Sequence, residues 1–347
     1  MKKIFLACVL ALTMMGCGSS KDDSIIVYTN SGSNGRDVFL KELAKENGFD
    51  INVVSGGGTD IANRLIAEKN NPIADVIFGL NNIEYEKLKK QNILKKFNPS
   101  WAGEIPEGLS DKEGYYNAIT VTPLLAIYNP NIIKGEDIPK DWTDLATNPK
   151  FKDKYYLFSA IGGTGKVILS SVISRYRDDN GVLNVSSEGW KMVENLYSNG
   201  YVERGEEDWF GNLMSGKRPI TMIWGSGALE REKANNFKVG VMRPEIGVPF
   251  VVEHVALVNK KNNTENVEKF ADWLGSPEVQ EKWAHAFGTA PAHPKALEKA
   301  PQEVKDLVES VKIQDLDWKF ISENVDSWIE KVEVDSWIEK VELEYRK

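Results

Sequence analysis

Between residues 25 and 88 the chain repeats one pattern three times: a short apolar run, a loop of Gly, Ser, Thr and Asn, and an amphipathic helix. The runs are Ile25–Tyr28, Ile51–Val54 and Ala74–Phe78, and the loops are Thr29–Gly35, Ser55–Thr59 and Gly79–Asn82. Strands alternating with helices specify a parallel α/β sheet, because parallel neighbours must be joined by a crossover of helical length. Ligands of such sheets bind beyond the carboxyl ends of the strands. Three polar loops at one end of one sheet therefore predict a binding rim.

The loop Ser55-Gly-Gly-Gly-Thr-Asp60 is the most informative of the three. It joins a strand to a helix that is N-capped by Thr59 or opened by Asp60. Glycine lets backbone come close to a ligand, and the first N–H groups of a helix have no partner inside it. Such a loop suits an anion, and it equally suits a plain turn that needs glycine for its dihedrals. The arrangement returns later in the chain. Lys154–Phe158 reads as a strand, Ser159–Gly165 as a second glycine loop and Lys166–Arg175 as a helix. Ile220–Trp224 reads as a strand before a third loop, Gly225-Ser-Gly227. Extended passages near 118–128 and 249–258 bracket this middle block and read as two crossings between lobes, so the first lobe is built from both ends of the chain.

The amino terminus is a separate matter. Met1-Lys-Lys, an apolar run from Ile4 to Met15 and the junction Gly16-Cys17 have the make-up of a secretory signal, too short to span a bilayer. With that signal removed, Cys17 is the one cysteine left, which excludes an internal disulfide, a cysteine metal cluster and a catalytic thiol. It is either a lipidation site or an ordinary free thiol. The chain has 43 basic and 51 acidic residues; taking away Lys2 and Lys3 leaves 41 against 51, a net charge of −10. That balance argues against a nucleic-acid partner. About 330 mature residues allow two domains with ample cores.

No catalytic constellation emerges. Ala160-Ile-Gly-Gly-Thr-Gly-Lys-Val167 is not a nucleotide loop, since Ala160 replaces its first Gly and Val167 its Mg²⁺-holding Ser or Thr. Lys166 could add charge to an anion site or simply be solvated. Gly225-Ser-Gly227 lacks the spacing of a nucleophile elbow. Of the three histidines, His285 and His293 read as structural or surface residues, and none has a recognisable Ser or Cys partner. Glu253 and His254 are neighbours on a strand and point to opposite faces. Glu253 could hold a ligand amine or be a paired or exposed acid. Trp209 and Trp224 are candidates for aromatic cleft walls. In the pairs Tyr115-Tyr116 and Tyr155-Tyr156 strand geometry favours one buried and one exposed ring over joint phenolate ligation of a metal.

At the carboxyl end Val325–Glu333 is repeated without change as Val334–Glu342. Nine residues turn a helix by two and a half turns, so Trp328 and Trp337 face opposite sides of one straight helix. A local duplication, with only one copy packed, accounts for this; deleting Val334–Glu342 should then barely move the melting temperature.

The signal, the interleaved lobes and the repeated glycine loops together resemble the substrate-binding lipoproteins of bacterial ABC importers, in the branch of ferric-iron and 2-aminoethylphosphonate binders. The stretches IIVYTNSG, VVSGGGTDIANRLIAEKNNPIADVIFGL, NPKFKDKYYLFSAIGGTGK and FADWLGSPEVQEKWA carry the likeness over almost all of the mature chain. It implies a two-lobed type II periplasmic-binding-protein fold, α/β, with two interlobe crossings. The expected division is a signal at 1–16, a lipid-anchored tether at 17–24, one lobe from 25–122 with 254–347, and a second from 123–253. It implies no enzyme and no cofactor, and partners that are a small anionic solute, the permease and ATPase subunits, and the membrane through lipidated Cys17 on the outer face. Ferric binders of this group resemble one another in a tandem Tyr pair where this chain has Trp224-Gly-Ser-Gly227. The phosphonate relatives look like Ser55–Thr59. The implied anion contacts are Ser55, Gly57, Gly58 and Thr59, with Ser159, Gly163, Thr164 and Ser226 closing from the other lobe and Asn30, Ser31 and Asn81 on the rim; Trp224 and Glu253 complete the candidate set. Ferric iron is the alternative ligand, and an exported hydrolase the rival from another class.

Overall fold

A computed structural model describes residues 24–157, 163–202, 207–261 and 264–334. Strands β1 (Ile25–Thr29), β2 (Ile51–Ser55) and β3 (Val76–Gly79) alternate with helices α1 (Arg36–Glu46), α2 (Gly58–Ala67) and α3 (Asn82–Lys90). The short β4 (Leu94–Lys95) and the long β5 (Asn117–Tyr128) follow. The middle block runs α4 (Trp142–Thr147), β6 (Tyr156–Leu157), α5 (Gly163–Ile173), β7 (Arg177–Val182), α6 (Ser187–Asn199), β8 (Tyr201–Val202), α7 (Trp209–Ser215), β9 (Ile220–Trp224), α8 (Gly225–Asn235) and β10 (Gly240–Val241). Strand β11 (Phe250–Val258) leads back to α9 (Glu265–Leu274), α10 (Pro277–Phe287), β12 (Ala290–Pro291), α11 (Pro294–Lys299), α12 (Gln302–Glu309) and α13 (Trp318–Val334).

The strand order is β10-β5-β11-β3-β1-β2. Strands β1, β2 and β3 are parallel, as the βα alternation predicts. The sheet as a whole is mixed, because β11 runs antiparallel to both β3 and β5. The sequence pattern reported only the crossover-linked part; β11, set between β3 and β5, runs back against it and reverses the sense there. One half of β5 pairs with β11 up to Pro123↔Phe250, and the other half pairs with β9 from Leu124↔Trp224 onward. The two-lobed architecture with two crossings thus rests on β5 and β11.

Each layer is built by its apolar stripe. In α2 the residues Ile61, Ala62 and Leu65, spaced three and four apart, are the buried ones. Strand β3 lies between β1 and β11 and is buried along its whole length. Val27, Val76 and Phe78 pack against Phe270 and Trp283 on one face of this sheet, while Tyr28, Ile77 and Tyr85 form the other core. A separate core gathers Trp142, Ile168 and Trp190 of α4, α5 and α6, and α13 joins it through Ile321, Val325, Trp328 and Val332. The last described helix therefore packs with the middle block. It contains the first copy of the repeat; Trp337 and most of the second copy lie outside the described residues.

His254 shows why β11 needs its irregularity. The register shifts between Glu253 and His254, and this bulge lets the imidazole enter the core between Tyr85 and Tyr116, with Nε2 2.9 Å from the Leu109 carbonyl. Burial pushes its pKa down to about 4, against the opposing pull of the Leu109 carbonyl and the Asp111 carboxylate. An unfolded histidine takes its proton near pH 6.5, whereas the native one resists until about pH 4. The stability this provides is complete above pH 6.5 and is lost as pH falls toward 4. Urea unfolding should lose on the order of 2 kcal/mol between pH 7 and pH 5. A flat profile over that window would count against a neutral buried His254.

Candidate functional site

The rim forms where β1, β2 and β3 end. Asn30 Oδ1 accepts a hydrogen bond from the Leu80 amide at 2.7 Å, which ties the β1–α1 loop to the β3–α3 loop. Ser31 Oγ donates to the same oxygen at 3.4 Å, and the Ser31 amide donates to Thr29 Oγ1 at 2.9 Å. The Gly56 amide donates to the Thr29 carbonyl at 3.1 Å, bringing the β2–α2 loop alongside. Two glycines make these approaches possible. A Cβ on Gly32 would overlap Ser55 Oγ, and one on Gly79, at φ +101°, would overlap Asn30 Oδ1. Asn30, Ser31 and Ser55 are thus held together, with Gly58 beside the Asn30 amide.

Helix α2 starts two residues earlier than its sequence suggests. Gly57 is the N-cap, in an extended conformation with no side-chain cap, and Thr59 is an exposed residue of the first turn. Neither Gly57 nor Gly58 has a positive φ. The first main-chain bond of the helix runs from Ile61 to Gly57, so the amides of Gly58, Thr59 and Asp60 have no helical acceptor. In α3 the cap is Asn81, whose side chain accepts from the Glu84 amide at 3.2 Å.

Glu253 reaches this rim from β11. Its carboxylate accepts from Thr120 Oγ1 at 3.2 Å across the β5–β11 ladder. Burial holds its pKa above the usual carboxylate range, while the Ser31 and Thr120 hydroxyls and the Arg36 guanidinium pull the other way. Among the described residues no cation lies within ion-pair distance of it. The bulge thus sends Glu253 to the rim and His254 to the core.

The opposite side is built on β9 and α8. Trp224 is 46% exposed and caps α8, with Gly227 close against its indole and Gly225 against Pro123. Gly225, Ser226 and Gly227, expected as a loop, are the first turn of α8. Gly163 and Thr164 likewise open α5, and Ser159 lies outside the described residues. Ser226 and Arg36 line the same cavity of about 790 Å³ between α1, α8 and α10, together with His285 and Phe287. The Arg36 guanidinium stands 4.8 Å from the Phe287 ring centre. Trp209 is partly buried, edge-on to Phe210 at 5.5 Å, with the Arg231 guanidinium 5.3 Å from its ring centre.

Thr120, Arg36, Gly32 and Gly79 escaped sequence reasoning. Thr120 matters only through its register with Glu253, and register is not written in either strand alone. The Gly35-Arg36 pair at a helix start was the one local signal for Arg36.

Two expectations change here, for the Tyr155-Tyr156 pair and for Lys166. Tyr155 and Tyr156 are both buried. Tyr155 donates to the Leu196 carbonyl, and Tyr156 and Tyr201 both donate to the Glu207 carboxylate, at 3.0 and 2.6 Å. Burial raises the pKa of both Tyr155 and Tyr156, so neither is a ready phenolate. Tyr116 is buried and Tyr115 half-buried, with Lys89 and Lys96 over the Tyr115 ring. Lys166 is buried rather than solvated, 3.6 Å from Glu84. His293 is fully buried and caps α11. Among the described residues no group of His, Cys, Asp and Glu is arranged to hold a metal ion, and no helix is long and apolar enough to cross a membrane.

Comparison with known proteins gives this geometry a context. The model of a family described as bacterial extracellular solute-binding proteins matches residues 71–324. The probable ABC transporter periplasmic-binding protein y4fP of Sinorhizobium fredii is 32% identical over 333 residues, covering 96% of this chain and 92% of that one. A Salmonella typhimurium protein, provisionally named a 2-aminoethylphosphonate-binding periplasmic protein, is 28% identical over 159 residues, 44% of this chain and 45% of that one. Among solved structures, a ferric binding protein from Campylobacter jejuni superposes with a TM-score of 0.74 over 92% of this chain and 99% of its own, at 20% identity. At that identity the likeness establishes the fold alone.

Proposed function

Since the chain belongs to the bacterial extracellular solute-binding proteins and serves an ABC importer in that role, we propose that its solute is a small organophosphonate or phosphorylated compound of the 2-aminoethylphosphonate kind. Proteins of this family work outside the cytoplasmic membrane, deliver their solute to a permease driven by an ATPase, and are binders rather than enzymes. The observation that carries the finer reading is Glu253: a part-buried carboxylate bonded to a hydroxyl, with no cation within ion-pair distance among the described residues, on the rim where the first amides of α2 have no helical acceptor. The amides of Gly58, Thr59 and Asp60 suit the oxyanion, with Ser55, Asn30, Ser31 and Asn81 around them. Glu253 suits an ammonium group. Ser226, Trp224, Gly163, Thr164 and Ser159 would close from the other lobe, and a lipidated Cys17 would hold the protein at the membrane.

Ferric iron is the second reading, favoured by what the solved neighbours bind. Against it stand two tyrosines committed to hydrogen bonds, and a rim on which Glu253 is the one anionic side chain placed, with backbone amides and neutral Ser and Asn side chains around it. Calorimetry with 2-aminoethylphosphonate, inorganic phosphate and ferric citrate separates the two. A Cβ at Gly58 would meet the Asn30 side-chain amide at 3.4 Å and Leu80 Cδ2 at 3.7 Å, ordinary contacts, so Gly58→Val should fold normally. It should weaken phosphonate binding at least about tenfold by crowding the anion, a cost of about 1.4 kcal/mol. Tyr156→Phe should leave phosphonate affinity unchanged. Tight ferric binding that survives Gly58→Val and disappears in Tyr156→Phe would replace the phosphonate reading with iron.

A further inference from the structure

Lys166 lies one turn into α5, three residues after Gly163, and is only 6% exposed. Its ammonium stands 3.6 Å from Glu84 Oε1 on α3 and 3.8 Å from Asp326 Oδ1 on α13. Both distances exceed the roughly 2.7–2.9 Å of a direct charge-assisted hydrogen bond. Glu84 is as deeply buried as Lys166, and its own amide donates to the Asn81 side chain that caps α3 at the rim. Asp326 is mostly exposed and already bound by Lys87 at 2.7 Å. The polar seam is slack around these groups. Asn82 Oδ1, two residues before Glu84, and Ser170 Oγ, one turn after Lys166, are buried with no hydrogen-bond partner among the described residues.

Two buried opposite charges held just short of contact are costly to keep, and a pair of well-packed apolar side chains would serve stability as well or better. Their value lies in geometry. Helix α3 continues the rim from β3, whereas α5 follows β6, which belongs with β8 and β9 on the other side. The charges therefore join the starts of two helices that stand on the two sides of the cleft.

We propose that Glu84, Lys166 and Asp326 are positioning residues, a charged joint between α3, α5 and α13 that sets the angle between the two rims and tightens to direct hydrogen bonding when a solute draws them together. This rests on the chain being a solute binder and not on which solute it takes.

The test is small-angle scattering of the purified, ligand-free protein. It compares wild type with the doubly neutral Glu84→Gln/Lys166→Met variant, which leaves no buried charge unpaired. The variant should melt cooperatively within a few degrees of wild type while its radius of gyration increases, because the lobes stay folded and their angle relaxes. Its affinity for 2-aminoethylphosphonate should fall at least tenfold. An unchanged scattering profile from the folded variant would overturn the joint, whatever the solute; failure of wild type to bind 2-aminoethylphosphonate would count against the phosphonate reading alone. Should the double variant not fold, Asp326→Asn, at an exposed position, should open the protein in the same direction by less. Scattering from Asp326→Asn identical to wild type would then refute the proposal.

Discussion

Replacing Trp328 by alanine is expected to cost about 3–5 kcal/mol of unfolding free energy, the range of a fully buried large-to-small aromatic truncation. The indole has no exposed surface and packs with α4–α6 residues on one side and edge-on to Phe320, 5.6 Å away, on the other. Its Nε1 donates to the Leu183 carbonyl at 2.9 Å, so truncation also leaves that acceptor without its donor. The neighbouring Asn184 and Asn324 side chains bond across the same junction, and the loss should loosen the β7 hairpin with the helix. Equilibrium urea unfolding measures it. A loss below about 1 kcal/mol, the size of an ordinary surface change, would mean that the helix can repack without this residue.

The second large effect concerns affinity. Glu253→Gln should weaken binding of 2-aminoethylphosphonate by at least about 2 kcal/mol, roughly 30-fold, since it removes one partner of a desolvated charge pair. Ethylphosphonate, which has the same anion and no amine, should bind wild type weakly and the variant no worse. Because burial raises the carboxyl's pKa, acid should abolish the preference for the amine earlier than an ordinary carboxylate would. That preference is present where Glu253 is ionised and disappears as pH falls through its raised pKa. Equal affinity of wild type for the two phosphonates would remove Glu253 from solute recognition and leave the anion site standing.

Local pattern revealed the elements and not their neighbours. The three βα units were legible because strand period, glycine loop and amphipathic helix lie within a few residues of one another. Glu253 was readable as a candidate from its polar character in an apolar run. Which way it pointed was not readable, because that depends on a bulge set by packing His254 between Tyr85 and Tyr116. The burial of Tyr156 was hidden for the same kind of reason: its partners Glu207 and Asn212 lie more than fifty residues away. The return of α13 to the middle block follows a helix face, not a position in the chain.

The shared strand has a mechanical meaning. Thr120, bonded to Glu253, and Leu124, paired with Trp224, belong to one unbroken strand and are about 13 Å apart along it. Between them sits Pro123, with φ fixed by its ring and no amide to donate, at the point where the partner changes from β11 to β9. Such a hinge has no slack to take up. It works as a torsion bar: any twist imposed at the solute end must emerge at the tryptophan end, and the stiffness of opening is set by a hydrogen-bonded ladder instead of by a loop.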